Sequence, residues 1–392
     1  MRADLILLTF AYLLSQFFRA FLAVLAEVLH RDIGASAEDL ATASGLWFLA
    51  FAIMQLPVGW ALDRVGPRLT ASVLLGFGGA GGAAVFALAQ GPGQVSVAML
   101  LIGAGCAPVL MAAYYIFARG YSPAVFATLA AIILGVGSLG NLISALPTTL
   151  AAEAFGWRAV LWAMAMICAV TALGLYLIVR DPERVVTQER GSVFDLLKMP
   201  ALWLIFPLMA FQYAPAAALR GLWIGPYLTQ VFDSSQSTVG NASLIMGAAM
   251  VAGTFAYGPL DRIIGTRKWV IFGGNLIAML CMMALALMPH DTIWRAVALI
   301  AAVGFFGASY PVVMAHGRSF YPPHLVGRGV TLMNLFAMGG VGVMQVLTGR
   351  LYAGASAAEK GAEYPFQVLF WVFVATVFLG LVIYLFAEDR KG

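Results

Sequence analysis

The chain has 392 residues, of which 62% are hydrophobic and only 10% charged, and its mean hydropathy is +0.92. A soluble chain of this length carries about a quarter charged residues, so the composition excludes an ordinary water-soluble enzyme and requires an outer surface that meets lipid. The net charge of +4 and pI of about 9.0 do not indicate a nucleic-acid partner, because the basic residues stand in short loops between apolar runs, as membrane orientation requires.

A spanning helix needs about 20 apolar residues at a rise of about 1.5 Å each. The first run follows Arg2 and extends from Leu5 to Leu29. It is longer than a signal-peptide core and is read as a retained helix. Five more spans are predicted at Ala41 to Leu62, Leu69 to Ala89, Val95 to Ala118, Ala124 to Ala151 and Trp157 to Val179. A polar stretch from Arg180 to Pro200 follows. Six further spans then run over Ala201 to Leu228, Val239 to Leu260, Trp269 to Met288, Trp294 to Ala315, Val330 to Ala353 and Tyr364 to Phe386. The expected organisation is therefore an all-α membrane protein with a six-helix bundle over residues 1–179, a linker over 180–200 and a second bundle over 201–392. Cys106, Cys168 and Cys281 lie inside apolar runs and are read as small packed hydrophobes without disulfides.

The halves repeat one another. Asp63-Arg64-Val65-Gly66-Pro67-Arg68 returns as Asp261-Arg262-Ile263-Ile264-Gly265-Thr266-Arg267, with offsets of 261 − 63 = 198 for Asp and 265 − 66 = 199 for Gly. Arg119 returns as Arg318 at 199, and Tyr12 and Arg19 return as Tyr213 and Arg220 at 201. Of 22 basic residues, Arg31, Arg158, Arg295, Arg350 and Lys360 fall on one side, and Arg19 and Arg220 fall inside spans. The other 15 (22 − 5 − 2) fall on the opposite side. That bias predicts both termini in the cytoplasm and a multi-pass protein of the inner (plasma) membrane.

On these residues the chain resembles the major facilitator superfamily. The segment Gly59-Trp60-Ala61-Leu62-Asp63-Arg64-Val65-Gly66-Pro67-Arg68 is similar to the family's signature loop, and Gly258 to Lys268 stands where its second copy falls. Gly156-Trp157-Arg158 is similar to another recurrent family element. The resemblance implies twelve transmembrane helices in two pseudo-symmetric six-helix bundles around a cavity that opens alternately to either side. It also implies a gating role for Gly59, Asp63, Arg64, Gly66 and Arg68 and for Asp261, Arg262, Gly265 and Arg267. Asp63 and Asp261 are expected to pair with arginines and to accept from a neighbouring helix N-terminus. Simple anchoring at the membrane surface is the alternative.

The candidate substrate residues begin with Arg19 and Arg220, each near the middle of a span, where a charge costs about 2.5 to 3.5 kcal/mol. An anion in a polar cavity offsets that cost. The alternative is satisfaction by helix-end carbonyls or an internal carboxylate; the nearest acid to Arg19 is Glu27, two turns away. Tyr12 and Tyr213 each precede their arginine by seven residues, about two turns, and so share its face. Gln16 stands one turn from Arg19, and Gln212 adjoins Tyr213. Tyr114, Tyr115 and Tyr310 offer hydroxyls and Asn141 and Asn334 offer amides, although interhelical hydrogen bonding accounts for such groups as well. The glycine runs Gly76 to Gly82 and Gly135 to Gly140 are read as packing surfaces. The GxGxxG spelling in the second follows no strand and is not a nucleotide fingerprint.

The arginine placement resembles the organophosphate antiporters of the superfamily. Gly135 to Leu142 partly resembles the nitrate/nitrite porters, whose second asparagine motif is missing from Met338-Gly339-Gly340-Val341-Gly342. The expected function is secondary transport of a small organic anion, a carboxylate or phosphate ester, by a monomer that needs no cofactor or metal. Two empty cations repel as a carrier closes, and an anion bridging them relieves the repulsion, which favours exchange. Proton relay normally uses a buried Asp, Glu or His, whereas His30, His290, His316 and His324 are placed near loops. The rival readings are a multidrug or other efflux carrier, disfavoured by buried positive charge, and a non-transporting assembly factor or sensor. An intramembrane enzyme lacks any visible carboxylate pair, metal cluster or nucleophile–base set.

Overall fold

The computed structural model describes residues 3–121, 123–182, 193–322 and 325–390, and within these every side chain except those at 123–128, 131, 193–194, 261–262 and 326–327. All regular structure among them is helical. Six elements form the first half: α1 (Ala3–Phe17 continued by Leu22–Ile33), α2 (Ala37–Arg64), α3 (Pro67–Ala87), α4 (Pro92–Gly120), α5 (Pro123–Ile143 continued by Leu146–Phe155) and α6 (Trp157–Ile178). The second half holds α7 (Pro200–Phe232), α8 (Gln236–Ile264), α9 (Arg267–Leu287), α10 (Ile293–Arg318), α11 (Val326–Ser356) and α12 (Tyr364–Tyr384). By length and composition ten of these cross a membrane as they stand, and α1 and α5 bring the number to 12 if each bent pair counts as one span.

The chain divides into two compact units, Met1–Val186 and Thr187–Gly392. The expected linker contains a short helix, Val193–Leu197, and its residues 183–192 lie outside the described ones.

Several expected continuous helices are interrupted. The predicted run from Leu5 to Leu29 bends by 52° across Phe18 to Phe21, where the backbone bonds shorten to Arg19 N–H to Gln16 O and Ala20 N–H to Phe17 O. The predicted helix from Ala124 to Ala151 bends by 44° at Ser144 and Ala145. Pro147 supplies the reason, since its ring removes an N–H and disfavours helix before it. In α7, three prolines break the run. Pro207 and Pro215 each stand at the second position of a short helical piece, and the π-helical turn Leu219–Trp223 precedes Pro226. Pro108 and Pro311 open the second segments of α4 and α10 in the same way.

Within each half the helices approach backbone to backbone at glycine. A Cβ on Gly140 of α5 would stand 2.1 Å from the Leu13 carbonyl oxygen of α1. Its counterpart in the second half is Gly340 of α11, 2.1 Å from the Ala210 carbonyl oxygen of α7 by the same measure. Gly78 and Gly82 of α3 face Gly105 and Ile102 of α4, so the first glycine run is a packing surface.

Candidate substrate site

Arg19 occupies the break in α1 rather than a regular helical turn. It is 9% exposed, and its guanidinium lies over two aromatic rings of α2, with its carbon 5.4 Å from the Trp47 centroid and 4.9 Å from that of Phe51. Those rings are stacked, 5.2 Å apart and 14° from parallel. Such cation–π contacts are worth about 0.5 to 1 kcal/mol each at exposed sites and about 2 kcal/mol when desolvated. They do not satisfy hydrogen-bonding capacity, and Arg19 Nε is buried without a partner.

Arg220 stands in the π-helical turn of α7 and is 4% exposed. The turn keeps the helix continuous enough for the seven-residue relation to hold: Arg220 donates from Nη2 to the Tyr213 hydroxyl at 3.2 Å. The Tyr213 and Tyr310 rings lie 6.0 Å apart, and the Tyr310 hydroxyl donates to Asn334 Oδ1 at 3.0 Å. Arg220, Tyr213, Tyr310 and Asn334 therefore form one connected cluster on α7, α10 and α11. Arg220 Nε is buried without a partner. Among the described residues neither arginine pairs with a carboxylate.

Tyr12 does not meet Arg19 as Tyr213 meets Arg220. Gln16 donates to the Tyr12 hydroxyl at 3.0 Å, leaving Gln16 Oε1 buried and unpartnered, so Gln16 does not hold the guanidinium. The bend of α1 is the physical reason, because it turns Arg19 toward α2. Tyr12 packs against Gly137 of α5 and lies within electrostatic reach of Tyr114. Asn141 is buried with its Oδ1 unpartnered, next to the Gly140 contact with α1.

Three side chains are engaged elsewhere. Gln212 is buried inside the second bundle, where its Oε1 accepts from Ser309, which in turn accepts from Asn275. Tyr115 lies beneath Arg119, with the guanidinium carbon 3.7 Å from its centroid. His316 stands near loops as expected, in the last turn of α10, yet it is fully buried there, 2.7 Å from the Tyr384 hydroxyl and 2.8 Å from the carbonyl of Glu388 in the segment after α12. His324 lies outside the described residues.

The signature loop departs from expectation in one respect. Asp63 is highly exposed and stands 3.9 Å from Arg119, while Arg64 is exposed and no neighbour lies within 4 Å of a Cβ built on Gly59. The acceptor at the neighbouring helix N-terminus is Asp181, which follows α6 and takes the Arg68 N–H at 2.8 Å. Gly66 is required there twice over. Its φ is +107°, and a Cβ would meet the Asp181 carboxylate at 2.8 Å. The Arg68 guanidinium lies over Tyr176. In the second half Asp389, after α12, takes the equivalent place, accepting from the Thr266 hydroxyl and from the N–H groups of Arg267 and Lys268. Gly265 again has positive φ, +76°. Burial works to raise the Asp389 pKa, but these hydrogen bonds hold it below the ordinary aspartate value. The Asp261 and Arg262 side chains lie outside the described ones.

Ten apolar spans, with two bent pairs that bring the number to 12 if each counts as one, mark a multi-pass membrane protein, and Arg19 and Arg220 are buried within it. The chain belongs to the Major Facilitator Superfamily, matched over residues 8–224 and 209–392. Its fold is shared by a bacterial homolog of the human lysosomal transporter Spinster in an inward-facing and occupied conformation (TM-score 0.81, 19% identity, 98% of this chain and 96% of that one). It is shared also by a D-xylose–proton symporter (TM-score 0.80, 15% identity, 99% and 98%). A gallate transporter of Pseudomonas putida is 32% identical over 121 residues, a stretch covering 30% of this chain and 26% of that protein.

Proposed function

We propose that this transporter moves a small organic anion, a carboxylate or phosphate ester, across the inner (plasma) membrane by alternating access and in exchange mode. The observation that carries the reading is the pair Arg19 and Arg220, one per half, both buried and both without a carboxylate partner among the described residues. A buried charge left unneutralised is costly, and an anionic substrate is the partner that neutralises it when bound. Tyr213, Tyr310 and Asn334 extend the recognition surface of the second half with hydroxyl and amide groups. The gallate transporter likeness supports the same class, because gallate is a small organic anion.

Exchange follows from the same cost. An empty carrier that closes keeps a desolvated cation in each half, whereas a loaded carrier has both compensated, so loaded states reorient more easily. Charge asymmetry between the loops supports cytoplasmic termini, and the Asp63–Arg119 pair supports a gating role for the signature loop.

A thermal-shift screen of the purified protein tests the reading, using mono- and dicarboxylates, phosphate esters, nitrate and cationic drugs. Anions are expected to stabilise the wild type, and Arg19→Ala and Arg220→Ala to lose the effect. Stabilisation by cations alone rejects the anion reading in favour of a drug carrier, and a flat response to every solute favours a non-transporting role.

A further inference from the structure

We infer that the Arg19 neighbourhood of the first half recognises a hydroxylated aromatic carboxylate, with the Trp47 and Phe51 rings as the platform for the substrate's ring. The inference rests on the anion reading above and narrows it to one class of anion.

Three observations converge. The first is the platform: Trp47 and Phe51 lie one turn apart on α2, are stacked, and are both buried beneath the Arg19 guanidinium. A carboxylate that pairs edge-on with the guanidinium carries its substituent alongside these faces, where a flat π system gains contact that a puckered ring does not.

The second is a pair of unmet donors. Arg19 Nε and the Trp47 indole Nε1 are both buried without a partner, and together they call for a ligand with acceptor oxygens. Negative charge answers the guanidinium; the unpartnered indole N–H calls for an oxygen acceptor as well.

The third is a set of unmet acceptors. Gln16 Oε1, Asn141 Oδ1 and Gln55 Oε1 are buried without donors. Gln16 lies one turn before Arg19, Asn141 adjoins the glycine of α5 that touches α1, and Gln55 lies one turn beyond Phe51 on α2. Buried acceptors without donors cost about 1 to 3 kcal/mol each when left so, and a plain carboxylate brings only further acceptors. Ring hydroxyls bring donors. A benzoate with one or more hydroxyls combines the required parts: a carboxylate for Arg19 and Trp47, a ring for the platform, and O–H groups for the amide oxygens.

The test is equilibrium binding to the purified full-length protein of four probes: 4-hydroxybenzoate, benzoate, cyclohexanecarboxylate and glycerol 3-phosphate. The saturated acid matches benzoate in charge and approximate size but lacks the π face. The expected order is 4-hydroxybenzoate tighter than benzoate, and benzoate tighter than cyclohexanecarboxylate by about tenfold. Phe51→Leu should compress the second gap to less than about threefold while leaving cyclohexanecarboxylate affinity unchanged. Trp47→Phe, which keeps a ring and removes the N–H, should weaken all three carboxylates together. Equal or tighter binding of cyclohexanecarboxylate, or binding of glycerol 3-phosphate alone, overturns the aromatic assignment while the anion reading stands. Failure of all four probes in wild type, together with a flat response in the wider screen, overturns both.

Discussion

Replacing Arg19 by methionine separates a substrate-binding cation from a structural one. A charge at mid-span costs about 2.5 to 3.5 kcal/mol. In the empty protein the return is two cation–π contacts, over Trp47 and Phe51, worth about 2 kcal/mol each when desolvated. Since Arg19 Nε has no partner and no ion pair compensates it among the described residues, the balance leaves the guanidinium near break-even, within about 1.5 kcal/mol. Methionine fills comparable volume and places sulfur against the same rings. Arg19→Met should therefore leave the ligand-free protein within about 1.5 kcal/mol of wild type in stability. With a bound anion at 100 times its Kd, wild type should gain about 2.7 kcal/mol while the variant gains nothing. The assay is thermal unfolding in detergent at one fixed scan rate, since unfolding of such a protein is governed by rate as much as by equilibrium. A ligand-free Arg19→Met protein destabilised by more than about 2 kcal/mol would refute the reasoning, because it would make the cation a structural pin.

Asp63→Asn should change stability by less than about 0.5 kcal/mol, as expected of an exposed ion pair, yet slow transport severalfold with anion binding intact. Loss of binding instead would place Asp63 at the substrate site. Asp389→Asn removes the charged acceptor at the start of α9 and should cost about 1 kcal/mol near pH 7. Because the folded pKa of Asp389 is depressed, its contribution is complete above the ordinary aspartate value of about 3.9 and fades as pH falls through the lower folded value. Wild type and variant should converge in stability over that acid range, and a constant difference would exclude the cap. Gly140→Ala forces a methyl to 2.1 Å from the Leu13 carbonyl oxygen and should destabilise by about 1 to 3 kcal/mol. Gly354→Ala, in open space on α11, should be neutral or stabilising by up to about 1 kcal/mol; similar melting shifts for the two would contradict the tight α1–α5 contact.

The membrane class and the twelve-fold run of apolar segments were legible because hydrophobic length registers directly in composition. The repeat pointed to Gly66 and Gly265, both at positive φ, and the seven-residue spacing pointed to the Arg220–Tyr213 hydrogen bond. The same spacing misled at Tyr12, because the bend at Phe18 to Phe21 leaves no proline in the sequence to announce it. Pro147, Pro207, Pro215 and Pro226 did announce the breaks in α5 and α7, and reading those runs as continuous helices passed over them. Trp47 and Phe51 carry no signal of their own in an apolar span; only the fold brings α2 against the break in α1. Asp181 and Asp389 were legible in principle, since each is an aspartate a few residues past the last helix of its half, but their role depends on a contact more than 100 residues away in sequence.

Exchange across proteoliposomes tests the central claim most directly. Vesicles loaded with the radiolabelled anion that stabilises wild type most strongly are diluted into buffer with or without the unlabelled anion. Efflux should accelerate when the unlabelled anion is present outside, and neither Arg19→Ala nor Arg220→Ala should retain that acceleration. Undiminished anion exchange by both variants would contradict the account.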